Sequence, residues 1–268
     1  MPKTLVPSSR PEPEGWGVDR LTQSWNGARE NQFAVFANKR AFHDLLALVE
    51  DAFFSISNNM TNPKDQLAAL LLHRCHSAFI ASSGLAAAGQ VTESYVMNRS
   101  VLECAAYALH INRHPGLDLV WLNRHRSEAD EDACRAGFLH KQVKDTVKKA
   151  NQHAGERFEQ MYDSAIDFGG HPNERSVMGS LQMTNEPGRK LFKSIFQHDD
   201  SPALALALKS TIECGLCALE ILECVFGSRF ELVGTKEKML TARTKLGALT
   251  SDFRQDRLRR AMSSPEVP

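Results

Sequence analysis

Apolar residues recur through most of this chain at three- and four-residue spacing, the period of a helix with one buried face. Val35, Phe36, Phe42, Leu45, Leu46, Val49, Phe53 and Ile56 predict a first helix over about 32–56. After a polar break, Asn62-Pro63 supplies a cap and a first-turn proline for a second helix carrying Leu67, Leu70, Leu71 and Phe79. Its end, ASSGLAAAG, is made of small residues, so a neighbour can approach closely there. Residues 94–114, which Thr92 can cap and Pro115-Gly116 stops, are apolar on most of the circumference. Such a helix belongs at the centre of a bundle. Within it Arg99 and Glu103 stand one turn apart. A charge inside an apolar helix needs a partner, so we expect a buried Arg–Glu knot.

Further helices are predicted at 117–126, at 128–153 with a narrow stripe (Ala133, Phe138, Leu139, Val143, Val147), and at 156–168 before Gly169-Gly170. Helical periodicity weakens over 175–198, where Glu186-Pro187-Gly188 separates two short mixed runs and predicts a β-hairpin. Ser201-Pro202 then opens a long apolar helix to Phe226, and a last helix covers about 236–261. The fold class is therefore mainly α, a helical bundle with a small β-hairpin insertion near 175–198. Residues 1–15, rich in Pro, Glu and Ser, read as a disordered N-terminal tail, 16–262 as a single helical domain and 263–268 as a loose C-terminal tail.

Composition changes this picture little. Lys plus Arg and Asp plus Glu number 32 each, so bulk charge does not attract nucleic acid, although a local basic groove is compatible with the balance. The start of the chain has four prolines and no apolar run, which does not read as a secretory signal, and no segment reads as a membrane span. The six cysteines all lie in helical patterns, and we read them as reduced core thiols of a cytoplasmic protein.

Several groups are candidates for chemistry. Arg99 and Glu103 can hold a phosphate or orient a histidine, or simply tie helices together. His110, seven residues beyond Glu103, suits the last turns of a helix. His171, in Asp167-Phe168-Gly169-Gly170-His171-Pro172-Asn173, is held extended by Pro172, which fixes its imidazole on a corner fit for acid–base work or for capping the preceding helix. His73 and His76 share one face beside Cys75, but zinc needs two more ligands. Cys214 and Cys217 make a C-x-x-C inside an apolar helix, the wrong place for a reactive thiolate. Arg135 and His140 have the R-x4–6-H spacing of a class of helical ribonucleases, a spacing that chance readily supplies. The basic stretches 141–149 and 254–260 read as solvated helix faces without aromatic interleaving. We expect no metal and no cofactor.

An RS-x-x-E helix (Arg99-Ser100-Val101-Leu102-Glu103), followed about 60 residues later by Tyr162 and the His171-Pro172 corner, resembles uncharacterised bacterial helical proteins related in pattern to the HEPN superfamily. The resemblance covers roughly residues 65–175. It implies a helical bundle, RNA or a nucleotide as partner, and a setting in bacterial stress or phage defence, where many members are metal-independent ribonucleases and others only bind. Carried over, Arg99 and Glu103 become the inner polar pair and His171 the motif histidine. The chain departs from the ribonuclease pattern because no Arg stands among Ala165, Ile166 and Asp167 ahead of His171. The alternative is a non-catalytic interaction module, homo-oligomeric or bound to a protein partner, whose Arg–Glu pair is structural.

Overall fold

The computed structural model describes residues 12–263, with side chains up to Ser251. The expected tails therefore lie mostly outside the described residues, as do the side chains of the 254–260 basic stretch. The last of the expected N-terminal tail is held: Glu12 pairs with Arg29, and the Trp16 N–H donates to the Pro13 carbonyl at 3.0 Å. The architecture is mainly α, eleven α-helices among the described residues with one small antiparallel hairpin.

The helix expected over 32–56 is two. Helix α1 (Arg20–Asn38) is capped by Asp19, and α2 (Arg40–Asn58) follows a break at Lys39 (φ −116, ψ 40). The break exists because the two segments bury different amounts: α2 sinks seven apolar side chains into the core, α1 only Val35. Instead, α1 lies over the end of α3 (Gln66–Ala87), where Asn31 and Gln32 each donate at 3.0 Å to the carbonyls of Ala88 and Gly84. The Gly84 carbonyl also accepts from the Ala88 N–H at 3.0 Å, and the side chains of α1 add partners at the end of α3, where carbonyls run out of intrahelical donors. Helix α3 is capped by Asp65, not Asn62, which sits in the turn before it at φ 45.

The central helix is α4 (Val91–Arg113), packed against α3 and the long α10 (Pro202–Leu232). Thr92 lies inside its first turn, and its hydroxyl meets Ser180 at 2.9 Å. The small-residue end of α3 does admit α4 closely. Ser82 donates to Asn98 Oδ1 at 2.7 Å, and Asn98 donates to Thr211 of α10 at 3.3 Å, all fully buried.

After α5 (Leu117–Asn123), the charged helix expected over 128–153 is α6 (Glu128–Gly137) and α7 (His140–Ala150). Phe138 turns into the core at the joint, and the freed Gly137 carbonyl is taken by the buried His110 at 3.0 Å. Helix α8 (Gln152–Ala165) is capped by Asn151 and widens into a π-helical turn, Ile166–Gly170, whose Gly169 lies against α4 where a Cβ would stand 2.5 Å from the Thr92 carbonyl oxygen. A short α9 (Glu174–Gly179) leads to the expected hairpin, β1 (Leu181–Glu186) and β2 (Arg189–Ser194), with Met183 opposite Phe192. Ser201 caps α10, which kinks at Phe226 (φ −115, ψ 26) and continues rather than stopping there. Gly234 turns the chain into α11 (Thr235–Ser263).

One hydrophobic cluster runs from Val35 to Leu246, with Phe53, Phe79, Phe158 and Phe230 its largest fully buried members. Gly215 is required where α10 crosses it, since a Cβ there would lie 2.5 Å from Phe79 and 2.7 Å from Val49. Among the described residues no helix is long and apolar enough to cross a membrane.

Candidate functional site

Burying Asn98 against α3 and α10 turns the next position of α4, Arg99, outward toward the seam with α7 and α8. The Arg99 guanidinium donates through Nε to Glu103 Oε1 at 2.9 Å, and the Tyr162 hydroxyl of α8 donates to the same oxygen at 2.9 Å. The pair is not the buried knot expected: the side chains are 32% and 34% exposed. The buried knot of α4 is instead the neutral Ser82, Asn98 and Thr211 set. A neutral amide and hydroxyls satisfy one another in the core at far smaller desolvation cost than two charges.

His140, the first residue of α7, stacks on the Tyr162 ring with centroids 4.2 Å apart at 21°, and the Arg99 guanidinium carbon lies 5.3 Å from the same ring. Four side chains from three helices thus meet around one phenol. Partial burial lowers the His140 pKa, helped by the Lys144 ammonium and opposed by Asp163, Glu103 and Glu159. The imidazole is therefore neutral near neutral pH and able to accept a proton. Burial and the Glu103 carboxylate push the Tyr162 phenol up to about 12. Partial burial works against the Arg99 charge, but the hydrogen bond and charge of Glu103 outweigh it and raise its pKa.

Charges of both signs surround this seam, with Lys144, Asp163 and Glu159 all acting on His140. Burial raises the Cys104 thiol and the Tyr107 phenol further along α4, while Arg74 of α3 and Arg124 at the end of α5 pull against them by charge. No carboxylate pairs with Arg74 or Arg124 among the described residues. Lys144 and Lys148 are differently employed, each donating at 2.6 Å to Glu159, whose carboxyl they hold down to about 2.

His171 does not join this site. Its backbone is extended (φ −135, ψ 147), as the following proline dictates, and its side chain lines a surface depression with Thr92, Glu93 and Phe196. Glu93 precedes Arg99 by six residues and Glu103 by ten, roughly 9 and 15 Å along the helix axis. The structure brings Arg99 and Glu103 together on Tyr162, and the histidine that packs on the same ring is His140. The R-x4–6-H spacing had marked His140, but for the wrong arginine: Arg135 points into solvent and pairs with Glu131 and Asp132.

The remaining candidates are accounted for by packing. His110 is buried, its Nε2–H donating to the Gly137 carbonyl and its Nδ1 2.8 Å from the Thr146 hydroxyl, and burial lowers its pKa. His76 stacks on Phe53 and faces Glu50 at 3.4 Å, while His73 stays on the outer surface. Among the described residues no three His, Cys, Asp or Glu side chains gather as a metal site. Burial raises the Cys214 thiol to about 12 and the Cys217 thiol beyond that. A further ionic feature had no clear mark in the pattern: Glu220 of α10, 4% exposed, lies between Arg157 of α8 and Arg243 of α11. Its position in the apolar run of α10 was the available signal.

No family model matches the chain, and neither characterised proteins nor solved structures give a significant match.

Proposed function

We propose that this chain binds RNA or a nucleotide at the seam of α4, α7 and α8, in the manner of the HEPN-like helical proteins it resembles, within the cytoplasm and in a bacterial stress or defence setting. The observation that carries the reading is the part-exposed Arg99–Glu103 pair, joined through the buried Tyr162 to the exposed His140. A guanidinium held in position by a carboxylate suits a phosphate, and the exposed His140 ring suits a base or ribose. The histidine of this reading is His140 rather than His171. In cleavage, neutral His140 takes the proton of a ribose 2′-hydroxyl, the 2′-oxygen bonds to phosphorus as the P–O5′ bond breaks to leave a 2′,3′-cyclic phosphate, Arg99 stabilises the charge on the phosphorane, and the departing 5′-oxygen takes its proton from water.

The test is binding and cleavage of labelled RNA by the wild type and by Arg99→Ala and His140→Ala, with helical content monitored throughout. Loss of binding in Arg99→Ala with the fold retained supports the reading. Loss of cleavage alone in His140→Ala assigns the base. A wild type that holds neither RNA nor a nucleotide refutes it.

A second reading, a helical interaction or dimerisation module, draws on the exposed apolar side chains of α1, namely Leu21, Trp25, Phe33 and Phe36. A dimer in solution that Phe33→Asp dissolves, with no RNA affinity, decides for it.

A further inference from the structure

Glu220, in the apolar run of α10, is 4% exposed and is met by arginines from two other helices. Arg157 of α8 donates through Nη2 to Oε2, and Arg243 of α11 meets Oε1 through its own Nη2. Both oxygens of the carboxylate are thus taken. Burial raises the Cys217 thiol, one turn earlier on α10, and the Arg157 and Arg243 charges both pull it back. The two guanidinium groups therefore stand over the same stretch of α10.

A buried carboxylate needs one counter-charge. Two guanidinium charges against one carboxylate leave one positive charge in excess. Neither arginine has a further carboxylate partner or hydrogen-bond acceptor among the described residues. Burial lowers the Arg243 pKa and the Arg157 charge lowers it further, as one cation does to another close by. The Arg157 and Arg243 side chains are nevertheless 42% and 41% exposed, so solvent and solutes reach them. Each guanidinium is a planar fork of N–H donors, and each spends one nitrogen on Glu220. The remaining donors are open to an anion from outside.

We propose that Arg157 and Arg243, gathered by the buried Glu220, form a site for an oxyanion of the phosphate class. Guanidinium forks match the oxygens of phosphate, and a phosphate supplies the negative charge that the group lacks. Glu220 acts as a positioning residue: it holds both side chains in place before the anion arrives, so less side-chain freedom is lost on binding. The site does not rest on the RNA reading above. Arg157 precedes Tyr162 of the Arg99 seam by five residues, which turns it about 140° around α8.

The experiment is thermal melting of the full chain at neutral pH in increasing sodium phosphate, against sodium chloride of matched ionic strength, for the wild type, Arg157→Gln and Arg243→Gln. Each variant leaves Glu220 one arginine, and the new amide can donate to the vacated oxygen, so the fold is expected to persist. Bound phosphate raises the wild-type melting temperature by about 3–5 °C for each tenfold increase above its dissociation constant. Phosphate also stabilises proteins through exclusion from their surface, and that part remains in the variants. The expected result is a wild-type response that either substitution reduces to this general one. Arg243→Lys keeps the charge on Glu220 and loses the fork; it is expected to bind phosphate about tenfold more weakly, and it stands in for a Gln variant that does not fold. Broadening of the phosphate phosphorus resonance by the wild type reads binding without melting. Adenosine monophosphate separates the sources. A response equal to that of phosphate identifies the free ion, and one at tenfold lower concentration identifies a phosphate carried by a larger ligand. Equal phosphate responses in the wild type and the variants, or no broadening by the wild type, overturn the inference. So does a response lost in Arg99→Ala and kept in the variants of Arg157 and Arg243, which moves the anion to the seam.

Discussion

Arg99→Ala separates a ligand-facing arginine from a structural one by its effect on stability. The side chains of Arg99 and Glu103 are 32% and 34% exposed, so solvent screens the pair and its contribution falls in the range of about 0–1 kcal/mol measured for accessible ion pairs. The Arg99 contact with the Tyr162 ring adds roughly 0.5–1 kcal/mol. Glu103 is not stranded when Arg99 goes, because the Tyr162 hydroxyl still donates to it and water reaches it. The expected loss is about 1–1.5 kcal/mol. For a chain of this size that is a fall in melting temperature of about 3–5 °C. A buried pair broken on one side would cost about 3–5 kcal/mol and shift melting by about 10 °C or more. Calorimetry of the wild type, Arg99→Ala, Glu103→Gln and the double variant measures both the single costs and their coupling. A drop of the larger size in Arg99→Ala would show that the pair holds the fold together, and the argument from its accessibility would be wrong.

Other substitutions have equally definite outcomes. Glu220→Ala is expected to cost about 2–4 kcal/mol, since it leaves Arg157 and Arg243 facing each other beside an apolar run; their partial exposure keeps the loss below the full cost of a stranded charge, and chemical denaturation measures it. Gly215→Ala should destabilise by about 1–3 kcal/mol through overpacking against Phe79 and Val49, and a neutral result in thermal melts would mean that α10 can shift. Burial lowers the pKa of His110, so the folded chain binds fewer protons there than the unfolded one. Its contribution to stability is complete above the unfolded value near 6.5 and is lost as pH falls from there toward the folded pKa. Urea midpoints between pH 7.5 and 5.5 should therefore fall less steeply in His110→Gln than in the wild type.

The order and type of the elements were legible because they are local. Spacing of apolar residues marks a helix wherever it occurs, Ser201-Pro202 caps one wherever it is placed, and a Pro-Gly turn between short mixed runs makes a hairpin. The apolar girth of α4 was enough to put it at the centre of the bundle. Breaks such as Lys39 and the Phe138 joint were not legible, since what ends those helices is a contact with a distant segment: the end of α3 in one case, His110 in the other. The same holds for the candidate site. Sequence alone paired Arg99 with Glu103, because residues four apart on a helix always meet. It chose His171 as the histidine of that pair and set His140 aside, because the Arg135–His140 spacing is one that chance readily supplies. Which histidine packs on the tyrosine that meets the pair depends on the break before α7 and on how α8 lies against α4. A one-residue rotation of α4 about Asn98 would exchange the charged pair for the neutral knot in the core. That rotation is decided by desolvation, which penalises two charges more than one amide and two hydroxyls, and it operates only once α3, α4 and α10 are packed together.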